Sequence, residues 1–105
     1  MRIHDSEDVR YLLQRSAKEL SHGQRLVVML YVASEQRADG AVLERASDMA
    51  ATLGMTGPGF YRSRKELTGK GWLEEAGKFG SAKAFRISRG IGRERTGGHL
   101  RVVGE

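Results

Sequence analysis

Apolar residues recur at helical spacing from the start of the chain. In DSEDVRYLLQRSAKEL, Val9, Leu12, Leu13, Ser16/Ala17 and Leu20 share one face. Asp5 or Ser6 can cap this segment. Glu7 and Asp8 suit its first turn and Lys18 its last, because the helix dipole favours those signs there. The pattern predicts a helix over about 5–20, with Ser21-His22-Gly23 as the break and Gly23 as the stop. The next segment, QRLVVMLYVASEQR, is apolar almost all round through Leu26–Ala33, as in a helix buried on several sides. It is the predicted centre of the core. Ala38-Asp39-Gly40 closes it, and residues 41–44 predict a short edge strand.

A third helix is predicted over about 45–53, where Ala46, Met49, Ala50 and Leu53 share a side, and Gly54 ends it. A fourth begins with Thr56 or Gly57 as cap and Pro58 in its first turn, where a missing amide donor costs nothing. It runs to about Lys70. Steps of 100° put Phe60 and Leu67 inward, with Pro58, Tyr61, Arg62, Lys65 and Gly69 opposite and Arg64 and Thr68 to one flank. Period-2 alternation then predicts strands at 72–76 and 84–88, joined by a glycine-containing loop, with Phe85 and Ile87 inward and Arg86 outward. After Arg89, GIGRERTGG is too glycine-rich and charged to pack, and HLRVV adds a strand or dangles. The expected organisation is one domain over 1–88, including the extra first helix, and a basic, flexible tail over 89–105.

At 105 residues the chain suits one modest core. Charge changes the picture by its position. Residues 1–40 balance six basic against six acidic side chains, and 41–105 hold twelve against seven, so the whole excess of +5 lies in the second part. A basic half beside a neutral half is the footprint of a nucleic-acid binder. No apolar run approaches the ~18 residues of a membrane span. MRIHDSEDV has no apolar signal region, so a cytoplasmic, nucleoid-associated protein is expected. There are no cysteines, hence neither disulfides nor thiolate metal sites.

Helix, short strand, helix, tight turn, helix and hairpin is the order of a winged helix-turn-helix: mainly α with a small β-hairpin wing. ASDMAATLGMTGPGFYRSRKELTGKGWLEEAG resembles the core of MarR-like and GntR-like regulators and of plasmid replication initiators. Ala50, Leu53, Gly54, Met55, Thr56, Leu67, Gly71, Trp72 and Leu73 carry the likeness, which covers about two-thirds of the chain. Two features depart from it: Gly57-Pro58-Gly59 replaces a polar run at the recognition-helix start, and no long dimerisation helix follows the wing.

Double-stranded DNA is therefore the expected partner. A major groove admits one helix, whose arginines and lysines pair with guanine edges or hold phosphates. The expected contacts are Thr56, Gly57, Gly59, Tyr61, Arg62, Arg64 and Lys65 on the fourth helix, with Lys78, Lys83 and Arg86 on the wing. Glycines at 57 and 59 allow close approach to the DNA backbone, and the helix start offers free amides to a phosphate. Arg89, Arg93 and Arg95 suit a flexible minor-groove arm. The first helix carries more apolar surface than a small core needs, which implies a homodimer with two recognition helices ~34 Å apart.

No enzyme and no cofactor are expected. His4, His22 and His99 match no metal-ligand spacing, no phosphate-binding fingerprint is present, and Glu74 and Glu75 take opposite strand faces. A bacterial transcriptional regulator is the leading reading. A plasmid or phage origin-binding or partition module, and a winged helix used for protein contact or structural RNA, are the alternatives. No effector pocket is legible.

Overall fold

The computed structural model describes residues 6–88 and Ile91. Its elements run α1 (Ser6–Glu19), α2 (His22–Ala33), α3 (Ala46–Leu53), α4 (Gly57–Gly69), β1 (Leu73–Phe79) and β2 (Ala82–Ile87). The helices stand within two residues of the predicted starts, and the differences have local causes. Gly23 does not stop α1 but lies inside α2. The break is at Leu20-Ser21, because Ser21 and Gln24 form a reciprocal capping box. Gly23 instead makes room for a neighbour: a Cβ there would meet Met55 Cε at 3.4 Å.

Helices α3 and α4 end in the same way. The Gly54 amide donates to the Ala51 carbonyl and Met55 to Ala50; Gly71 donates to Thr68 and Trp72 to Leu67. Both glycines have positive φ, 69° and 82°. This is the paired hydrogen-bond pattern that closes a helix through a left-handed residue. The first instance makes the tight turn between α3 and α4, and the second delivers Trp72 into the core.

β1 and β2 are antiparallel, pairing Leu73 with Ile87, Glu75 with Phe85 and Phe79 with Ala82, with an irregularity between Glu75 and Lys78. The strands therefore take up most of the predicted loop and leave only Gly80-Ser81 at the tip. Ala41–Glu44 forms no strand. Val42 alone bridges to Phe85, its amide donating to the Phe85 carbonyl at 3.0 Å.

Leu12, Val27, Tyr31, Phe60, Leu67 and Trp72 lie at the centre of one core, all but unexposed. Trp72 also fastens α1 to the domain. Its indole N–H donates to Glu19 Oε1 at 3.0 Å, and the Arg15 guanidinium sits 5.4 Å from its ring centroid. Buried Ser16 accepts from Arg25 Nε at 3.0 Å on the same side of α1. Ile91, from the segment expected to be a loose tail, is 4% exposed and belongs to this core, so packing reaches past residue 88.

Candidate nucleic-acid interface

Thr56 starts α4 by accepting the Gly59 amide on its hydroxyl at 3.1 Å, a cap that also orients the first turn. The two flanking glycines have different reasons. A Cβ on Gly59 would lie 2.9 Å from Thr56 Oγ1, so a larger residue there would force the capping hydroxyl to shift. A Cβ on Gly57 would meet nothing within 4 Å. Beyond its own chain neighbour Pro58, nothing among the described residues requires residue 57 to be small.

From this start, Tyr61, Arg62 and Lys65 project into solvent, and Tyr61 is 57% exposed. They share an open cleft of about 820 Å³ with Pro58 on α4 and with Lys83 and Ser81 on the hairpin. Lys83 reaches it because the period of two puts it on the same sheet face as Phe85. Lys78 is exposed near the hairpin tip, outside the cleft lining. Glu75, which sequence reasoning passed over, also lines the cleft and pairs with Lys83 at 3.4 Å. Its position was readable: Glu75 is two residues from buried Leu73 and therefore shares its face.

Two expected contact residues are engaged within the protein. Arg86 stands opposite Glu74 and donates to it at 2.6 Å, with Asp39 at 4.0 Å; its side chain is only 11% exposed. Its charge is met on the far side of the hairpin from the cleft. Arg64 is not on an exposed flank. It is 8% exposed, with its guanidinium carbon 4.2 Å from the Phe85 ring centroid, 5.1 Å from Tyr61 and 5.5 Å from Phe60. The spacing contained this: residues 60, 64 and 67 form one helical stripe, and assigning the position by residue type hid it.

Tyr31 lies beneath Arg64. Burial pushes its hydroxyl above the ordinary phenol value; the neighbouring Arg64 guanidinium partly offsets that, and Glu44 reinforces it. Below the hairpin, Arg37 and then the Ala41 amide hold exposed Asp39 below the usual carboxylate range and so pin the turn at 38–41. Among the described residues no group of three or more His, Asp and Glu side chains is placed to hold a metal ion. His4, His99, Arg89, Arg93, Arg95 and HLRVV lie outside the described residues.

The chain is similar to the crystal structure of the adhesin competence repressor AdcR from Streptococcus pyogenes, with a TM-score of 0.54 over 93% of this chain and 72% of that one. The fold is a winged helix-turn-helix. Identity to AdcR is 15%, so the likeness rests on architecture. No family model and no curated protein matches the sequence. Within this fold α3 and α4 are the helix-turn-helix, α4 takes the place of a recognition helix and the β1–β2 hairpin that of the wing. Among the described residues no helix is long and apolar enough to cross a membrane.

Proposed function

We propose that the chain binds double-stranded DNA sequence-specifically, as a bacterial transcriptional regulator, and therefore works in the cytoplasm at the nucleoid. The observation that carries this is the cleft between recognition helix and wing. Its exposed cations and aromatic, Arg62, Lys65, Lys83 and Tyr61, stand on the elements that a groove and its flanking phosphates would meet. Arg62 and Tyr61 serve as base-reading candidates. Lys65, Lys78 and Lys83 serve the backbone, Gly57 permits close approach, and Thr56 and Gly59 hold the helix start in shape. Arg86 acts only through the wing that it ties to Glu74.

The same reading includes a homodimer. The inner side of α1 is committed to its own domain through Leu12, Ser16 and the Glu19–Trp72 bond. Its outer side leaves Leu13 40% exposed in a shallow surface with Val9, Arg10 and Gln14. The predicted dimer surface is thereby narrowed to Leu13 and Val9.

The test is binding of the full chain to its own upstream DNA and to random duplex at two salt concentrations. A regulator prefers the former at both. Equal, salt-sensitive loss of both would leave only non-specific binding. Tighter binding to structured RNA than to either duplex would favour the RNA alternative.

A further inference from the structure

Among the described residues Arg64 is a buried cation with no anion beside it. A guanidinium stays protonated in proteins and offers five N–H donors. This one is more than nine-tenths buried. Among the described residues no carboxylate lies within ion-pair distance of it, and its protein neighbours are the rings of Phe60, Tyr61 and Phe85 and the Tyr31 hydroxyl. Ring faces offset part of a positive charge, but they do not replace the two oxygens that match the guanidinium fork. The other buried-side arginine of the hairpin shows the contrast: Arg86 has Glu74 at 2.6 Å. Arg64 nevertheless lines the cleft between α4 and the wing, beside Lys65 and Lys83. Among the described residues the one acid lining the cleft, Glu75, pairs with Lys83.

We propose that Arg64 is the floor of a preformed phosphate slot, which a backbone phosphate of duplex DNA enters as the recognition helix docks. The inference rests on the DNA-binding reading and deepens it. Buried Arg64 cannot reach out to a base edge, so the phosphate comes to it. The rings of Tyr61 on α4 and Phe85 on β2 fix the guanidinium, so one phosphate sets the helix and the wing in register together. The required chemistry is a phosphate oxyanion, and inorganic phosphate is the other source that would fit.

The experiment uses the full chain. In wild type, the Arg64 Nε–H resonance in a ¹H–¹⁵N spectrum is followed as duplex DNA, or inorganic phosphate alone, is added. Duplex affinity is then measured across a salt series for wild type, Arg64→Met and Arg64→Lys, with thermal unfolding recorded for each. The expected result is a resonance that moves with duplex and hardly with millimolar phosphate. For Arg64→Met the slope of log affinity against log salt flattens by about 0.9, the share of one phosphate, while Arg64→Lys keeps most of the slope. Duplexes with single methylphosphonate links should show one position per bound chain that weakens wild type and leaves Arg64→Met unaffected. A resonance silent to duplex, or an unchanged slope in a folded Arg64→Met, overturns the slot and leaves Arg64 a packing brace. Saturation by inorganic phosphate with exclusion of duplex overturns the DNA source. If Arg64→Met does not fold, the wild-type resonance alone decides. Wild type that binds no duplex at low salt overturns the DNA reading itself, an outcome distinct from binding with a silent Arg64.

Discussion

Gly57 and Gly59 sit two residues apart and answer to different constraints. Because a Cβ on Gly59 would crowd the capping Thr56 hydroxyl, Gly59→Ala should cost stability up to the worth of the cap, about 1 kcal/mol. Gly57→Ala meets open space beyond its chain neighbours but sets a side chain directly before Pro58 in a helical turn, so stability should hold or fall slightly. Affinity for DNA should fall in the same variant. Thermal unfolding beside a duplex titration checks both, and unchanged affinity would remove the close-approach role. Arg62→Ala should weaken specific binding by about 1–3 kcal/mol, the worth of a bidentate base contact; equal weakening on random duplex would make Arg62 a phosphate ligand. Gly54 in the left-handed region and Phe60 and Leu67 in the core were readable from residue type and spacing alone. The place of Arg64 lay in the same spacing, but its residue type pointed to a flank until the rings around it were known. Tyr31 adds a pH signature. Its folded pKa lies above the unfolded value of 10.0, so its contribution to stability is complete below that value and is lost as pH rises through the folded one. Tyr31→Phe should therefore lose less stability than wild type between about pH 9 and 11, measured by denaturant unfolding.

At the scale of elements, the wing shows most clearly what a sequence withholds. Its existence followed from alternation after Trp72, but its length did not. A cluster of glycines reads as loop, whereas pairing across the hairpin carries the strands through Lys78 and Lys83 to a two-residue tip. The result is a longer arm with two lysines opposite one another, a like-charge pairing that is unfavourable in the free protein. Glu75 offsets part of it through its pair with Lys83. Replacing Lys78 and Lys83 together by Ala should lower affinity similarly for all duplexes and flatten the salt slope by about one to two units. Loss on a single sequence with the slope intact would make the wing a base reader. The α1–α2 boundary has a simpler lesson. Gly23 drew the break to itself, although Ser21 and Gln24 carried the stronger signal, a capping box four residues long.

Across the whole molecule, α1 divides its surface between its own domain and the outside. Leu12 is unexposed in the core, so Leu12→Glu should unfold the chain rather than reveal a partner. Leu13→Glu is the informative change: a folded monomer with weak half-site binding supports the dimer, and a wild type that scatters light as a monomer at tens of micromolar excludes it. The central claim is narrower and lies elsewhere: that the recognition helix and the wing form one surface for duplex DNA. Residue-by-residue ¹H–¹⁵N shift mapping of the full chain during titration with its upstream duplex tests it most directly. The account predicts the largest shifts at Gly57, Tyr61, Arg62 and Lys65 on α4 and at Lys78 and Lys83 on the wing, with the outer face of α1 quiet on a single half-site. Shifts centred on α1, or a spectrum unmoved at low salt, would contradict it.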